Sequence, residues 1–208
     1  MPQITEIRVQ KNKERFNIYL DGKFAFAVTA EALVKAGLNV DKEIDQDKVE
    51  ELIKEDDFKK VYDRTLKFFS YRPRSRKELR DWFRRKEIGE ETQKLTVEKL
   101  ESLGLLNDSE FSRWWIEQRE IYHPGGRSLL KMELMKKGIA KEIIDESLSH
   151  VTPEDESKVA IEIAKKKMRS LVNSPRLEQK RRLYGILSRR GFRWETIKSV
   201  VDELIKKE

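Results

Sequence analysis

Apolar and polar residues alternate only near the start of the chain. Ile4, Ile7 and Val9 alternate imperfectly, whereas Phe16, Ile18 and Leu20 alternate cleanly. Phe24, Phe26 and Val28 follow Asp21-Gly22, a strong turn signal. With Lys11–Glu14 as a polar turn, the pattern predicts three short strands in a meander. Thr29 is placed to cap a short helix through Leu33 and Val34 that stops at Gly37. Asp45 opens a longer helix carrying Val49, Leu52, Ile53, Val61 and Phe69. From about residue 57 the apolar positions recur at helical spacing, every three or four residues.

The stretch Tyr71–Ile88 sets the pattern for the rest of the chain. Pro73 pushes Arg72 out of the helical region and ends the preceding helix. Ser75 and Glu78 read as a capping box. Leu79, Trp82 and Phe83 then share one helical face, with Lys77, Arg80 and Arg84 on the other. Later punctuation is of the same kind. Asn107 with Glu110, Thr152-Pro153 and Ser174-Pro175 read as helix starts. His123–Gly126, Gly138 and Gly191 read as stops, and one further helix is expected to carry Ile144, Leu148 and Val151.

These helices repeat. With Ile88, Ile139 and Phe192 set as equivalent, the offsets are 51 and 53 residues. Leu79 then falls on Leu130 and Leu183, Phe83 on Leu134 and Leu187, and Val97 on Leu148 and Val201. Glu87 breaks the match with Gly138 and Gly191. The fold expected is mainly α: tandem three-helix repeats in an elongated array, preceded by a small β-meander. The segments are 1–56 for the meander and short helix, then 57–104, 105–151 and 152–208 for the repeats.

Charge adds a second pattern. The chain of 208 residues carries a net charge of +7, with 40% charged and 38% hydrophobic residues. Basic residues outnumber acidic ones by 14 to 9 in 57–104 and by 15 to 9 in 152–208; the other two segments are near neutral or acidic. Clustered positive charge points to an anionic partner. Basic positions also superpose: Arg76 with Arg127 and Lys180, and Arg85 with Lys136 and Arg189. Cations at a helix C-terminus complement its dipole, which accounts for the second set. Cations at a helix start are unfavourable, so Arg76, Arg127 and Lys180 call for another reason, and an anionic ligand is the natural one. The expected binding residues are Arg72, Arg74, Arg76, Lys77, Arg80, Arg84, Arg127, Lys131, Lys180, Arg181, Arg189 and Arg190. Trp114, Trp115 and Tyr122 are candidates for base stacking, but aromatics at helical spacing more often belong to the core.

Two stretches, Phe68–Arg80 and Leu100–Ser112, resemble the RecX regulatory proteins, and Gly126–Ile139 fits the same family. The resemblance is closest in the first two repeats and loosest in the meander. It implies a modulator of the RecA recombinase in DNA repair, recombination and the SOS response. Such a protein binds RecA filaments on single-stranded DNA and restrains ATP hydrolysis, strand exchange and coprotease action. The partners implied are the RecA filament and DNA, single-stranded and double-stranded, with the protein itself a monomer.

Enzyme chemistry finds little support. There is no cysteine and there are only two histidines, so a zinc site is not expected. No Gly-x-Ser-x-Gly elbow or phosphate-binding Gly-x-x-x-x-Gly-Lys-Ser/Thr loop occurs. The acidic run of Glu50, Glu51, Glu55, Asp56 and Asp57 reads as a solvated helix face rather than a nuclease metal site. No catalytic residue, metal or cofactor is therefore expected. No apolar run is long enough to span a membrane, and the first residues lack a signal-peptide pattern, which places the protein in the cytoplasm. The competing reading is a basic helical DNA-binding protein with no recombinase partner.

Overall fold

A computed structural model describes residues 1–11 and 14–206. Three strands, β1 (Ile4–Val9), β2 (Arg15–Leu20) and β3 (Lys23–Thr29), form an antiparallel sheet in the order β1-β2-β3. The expected turn Lys11–Glu14 includes two positions outside the described residues. Ten helices follow among the described residues: α1 (Ala30–Lys35), α2 (Gln46–Ser70), α3 (Arg76–Arg85), α4 (Glu90–Ser102), α5 (Asp108–Tyr122), α6 (Arg127–Lys136), α7 (Lys141–Ser147), α8 (Pro153–Met168), α9 (Arg176–Arg189) and α10 (Trp194–Lys206). The chain divides into two compact units. One holds Met1–Arg72 with Lys86–Leu103, and the other holds Pro73–Arg85 with Gly104–Glu208. The first repeat is thereby shared, with α2 and α4 in one unit and α3 in the other.

In the first unit, Ile4, Ile18, Phe26 and Val28 project from the sheet onto Leu38, Ile44, Val49 and Leu52. Thr29 caps α1 by accepting a hydrogen bond from the Ala32 amide at 3.2 Å. Arg15 on β2 reaches Asp56 on α2, a buried carboxylate that Lys60 also approaches at 2.6 Å. Strict alternation along β3 would put Phe24 on the face of Phe26 and Val28, yet it is exposed. A bulge explains it. Ile18 pairs with Phe26 but Tyr19 pairs with Phe24, so Ala25 is the extra residue and Phe24 turns to the face of Tyr19. The two rings meet edge-on at 5.9 Å.

In the second unit, Phe111, Ile116, Leu130, Leu134, Ile144 and Leu148 form the core of α5–α7. Ala160, Ala164, Leu183, Leu187, Val200 and Val201 do the same for α8–α10. Two of the matched sets behave alike, since Leu79, Leu130 and Leu183 are all buried, as are Phe83, Leu134 and Leu187; in the third, Leu148 and Val201 are buried but Val97 only partly. The tandem three-helix architecture thus follows from a repeated apolar face. Two helix limits differ from expectation. α7 stops at Ser147, so Leu148 is its C-cap and Val151 lies beyond it. α9 begins at Arg176 with Pro175 in the cap position, not at Ser174.

The mismatch at Glu87 also resolves. Gly138 and Gly191 follow α6 and α9 with φ of +78° and +73°, and Glu87 follows α3 with φ of +52°. All three are left-handed helix stops, so the backbone repeats where the side chain does not. Glycine is required at the later two for a second reason. A Cβ on Gly138 would lie 2.6 Å from the Lys77 Cβ, and one on Gly191 would lie 2.4 Å from the Leu129 amide nitrogen. Glu87 is exposed and tolerates a side chain.

This separates strain from crowding. Glu87→Gly should raise stability by about 1 kcal/mol, because a left-handed L-residue costs about 1–2 kcal/mol and glycine returns part of that as unfolded-state entropy. Gly191→Ala should lower it by about 2 kcal/mol or more, since both strain and overlap act there. Urea unfolding midpoints measure both. Equal and negligible shifts would contradict this account of the three stops.

Candidate nucleic-acid interface

The basic residues take their positions from how each second helix of a repeat begins. At the start of α3, the buried Ser75 hydroxyl accepts from the Glu78 amide at 3.2 Å and donates to the Lys137 carbonyl at 2.8 Å. The Arg76 amide donates to Asp108 Oδ1 at 2.9 Å, and the Arg76 guanidinium lies 3.9 Å from the other oxygen. Lys137 reaches back to Glu78 at 2.6 Å with its ammonium over the Trp115 ring. One repeat later the arrangement recurs. The Gly126 amide donates to the Arg190 carbonyl at 2.8 Å, and the Arg127 amide donates to Glu156 Oε1 at 2.7 Å. The Arg127 guanidinium donates to the Leu148 carbonyl, and Arg190 to the Pro124 carbonyl at 2.7 Å. Ser75 and Gly126, like Lys137 and Arg190, are matched by the offsets of 51 and 53 residues.

Each such helix start is therefore closed by the following repeat, which supplies a carbonyl and a carboxylate. The positive end of a helix dipole meets an acid of the chain itself. The two carboxylates meet the Arg76 and Arg127 backbone amides, while the Arg76 guanidinium lies 3.9 Å from Asp108 and that of Arg127 donates to the Leu148 carbonyl. Lys180 does not belong to this set. α9 has 14 residues against 10 in α3 and α6, so Lys180 is its fifth residue and not its first.

The other expected residues scatter. Asp81 takes Lys77 at 2.7 Å and Arg84 at 2.9 Å, while Asp145 takes Lys131 at 2.7 Å. Lys180 lies 4.0 Å from Asp202. Arg72 and Arg74 are half-buried and engaged within the chain. Arg80, Arg181 and Arg189 are exposed, with no ion-pair or hydrogen-bond partner for their guanidinium groups among the described residues. The Asp81 carboxyl is held below the usual range, first by the hydrogen bond from Lys77, and the Asp145 carboxyl by that from Lys131. A depressed carboxylate keeps its pairing above its ordinary pKa and loses it as pH falls through the lowered one, so both pairs are closed at neutral pH.

The aromatic candidates divide. Trp114 and Trp115 pack on the α5–α7 core, and Trp115 Nε1 donates to Glu133 at 2.9 Å. Tyr122 is 68% exposed at the end of α5. It lines an open trough of 780 Å³ between the end of α5, α8 and α9. Val159, Ile163 and Ile186 lie along it with Lys166, Lys167 and Arg169. An adjoining hollow of 540 Å³ continues past Lys167 to Arg181, Gly185 and Arg189. The α8 cations were not among the expected residues, because a lysine run at a helix C-terminus already has the dipole as its reason. The positive balance of 152–208 was the one available signal, and it does not say which helix faces form a trough.

Four family models match the chain in order. "Regulatory protein RecX N-terminal domain" covers residues 2–45, and the first, second and third RecX three-helix domains cover 62–100, 107–148 and 154–201. A regulatory protein RecX of Clostridium perfringens is 34% identical over the whole chain and 99% of its own length. One from Bacillus subtilis is 36% identical over 98% of this chain and 78% of its own. Among solved structures, a crystal structure of regulatory protein RecX matches with a TM-score of 0.72 at 29% identity, covering all of both chains. RecX from Lactobacillus salivarius matches with a TM-score of 0.64 at 26% identity, covering 72% of this chain and 97% of that one.

Two substitutions test the internal assignments. Glu156→Ala removes a buried carboxylate and should cost about 1.5–3 kcal/mol in urea unfolding, the range for a hydrogen bond to a charged group. A loss under about 0.5 kcal/mol would mean that the α6 start does not depend on it. Asp81→Asn releases Lys77 and Arg84. If the exposed face of α3 meets DNA, affinity should rise about threefold or more and fall more steeply with salt. An unchanged salt dependence would remove that face from the footprint.

Proposed function

The chain belongs to the RecX regulatory protein family, and on that premise we propose that it binds RecA filaments on single-stranded DNA and restrains their ATP hydrolysis, strand exchange and coprotease action. The observation that carries this reading is the ordered match of all four RecX domains along the chain. The arrangement of charge supports it. Three-helix repeats in tandem leave cations exposed in the third repeat, suited to a phosphate backbone. The remaining helix faces are left for a protein surface. The protein acts as a monomer in the cytoplasm, without a cofactor and without catalysis of its own. No helix among the described residues is long and apolar enough to cross a membrane.

A DNA-binding protein with no recombinase partner is the competing reading, and it draws on the same exposed cations. ATP turnover by RecA filaments on single-stranded DNA separates the two. At a stoichiometric ratio this protein should lower the rate severalfold. An unchanged rate, with DNA binding intact, would favour the competing reading and contradict the regulatory one.

A further inference from the structure

The trough between α5, α8 and α9 combines unpaired cations with an apolar lining whose residues, Val159, Ile163 and Ile186, pack on the α8–α10 core and are only partly covered by it. Lys166, Lys167, Arg169, Arg181 and Arg189 have no ion-pair partner among the described residues. Two carboxylates also line the main trough. Glu162 lies 3.5 Å from Lys165, and Glu178 in the adjoining hollow pairs with Arg182, which leaves Glu120 beside the cluster without an ion pair among the described residues. Like charges gathered around one depression repel one another, and an anion relieves that repulsion. The depression is also apolar, with Val159, Ile163 and Ile186 exposed to it and Tyr122 standing at its end. A solvated cationic helix face has no need of such a lining.

Gly185 is the third feature. It lies inside α9 on the face of the adjoining hollow, where glycine costs about 1 kcal/mol relative to alanine. A Cβ there would meet only the end of the Arg189 side chain, at 3.3 Å. Internal packing therefore does not require the glycine, and the backbone it leaves bare faces the hollow.

We propose that this trough seats a single strand of nucleic acid, with phosphates along the α8 and α9 cations and bases against Tyr122 and the apolar lining. A duplex keeps its bases stacked inside, so it engages cations but not an apolar floor. A single strand offers both surfaces at once, and base stacking on an aromatic ring is tolerant of sequence. This deepens the DNA-facing half of the proposed function and does not require the recombinase.

The test uses the full chain alone, with labelled oligothymidylate and a duplex of the same length, read by fluorescence anisotropy over a salt series. The wild type should bind the single strand more tightly. Lys167→Glu with Arg169→Glu and Arg189→Glu should weaken binding at least about tenfold and lower the salt slope by about 2, three contacts at roughly 0.7 each. Tyr122→Ala should weaken oligothymidylate binding about tenfold and leave duplex binding unchanged. Lys23→Glu with Lys48→Glu and Lys94→Glu makes the same change in charge away from the trough and controls for it. Circular dichroism checks that each variant is folded. Equal losses in the two triple variants would overturn the proposal, as would Tyr122→Ala binding oligothymidylate like wild type. Absence of filament regulation by the wild type, with these binding results intact, would contradict the regulatory reading and leave the trough assignment standing.

Discussion

A helix that begins against another part of the chain must have its first amides satisfied there, since water no longer reaches them. That constraint organises the second compact unit. α3 begins with Ser75 and Arg76 held by the Lys137 carbonyl and the Asp108 carboxylate. α6 begins with Gly126 and Arg127 held by the Arg190 carbonyl and the Glu156 carboxylate. Hydrogen bonds to charged groups contribute about 1.5–3 kcal/mol each, so these two carboxylates are among the stronger links in a fold of marginal stability. The same contacts dictate glycine at 138 and 191, where the start of one helix lies against the stop of another. Each repeat completes the one before it.

This arrangement redistributes the charge that matters for function. The acids that take the first amides of α3 and α6, Asp108 and Glu156, come from 32 and 29 residues away in sequence. Lys77, Arg84 and Lys131 pair with aspartates, and the Arg76 guanidinium lies 3.9 Å from Asp108, so part of the positive charge of α3 and α6 is shared with acids of the chain. A group of unpaired cations borders the trough at α8 and α9, and Arg80, Arg85 and Lys86 in and after α3 are likewise without an ion pair among the described residues. The field of all 45 basic residues favours an anionic partner.

Most of the fold was legible in the sequence because it is written in local terms. Thr29, Asn107 and Thr152 cap the helices they precede, and two of the three apolar sets at offsets of 51 and 53 residues are buried alike. What was hidden depends on pairing between distant segments. The bulge that turns Phe24 outward is a property of two strands together. The extra turn of α9 removes Lys180 from the helix starts, and a fixed offset cannot register it. Glu87 shows the converse, a lost residue match over a kept backbone conformation. The trough was the least legible part, since three helices from two repeats form it and each of its lysines has a local reason to be where it is.

Hydrogen–deuterium exchange of the full chain with and without oligothymidylate tests the central claim most directly, that internal carboxylates occupy the helix starts and leave the third repeat to meet the strand. Slowed exchange should appear in the C-terminal half of α8 and in α9, with the amides at the start of α3 unchanged. Slowed exchange across α3 with none in α8 and α9 would contradict the account.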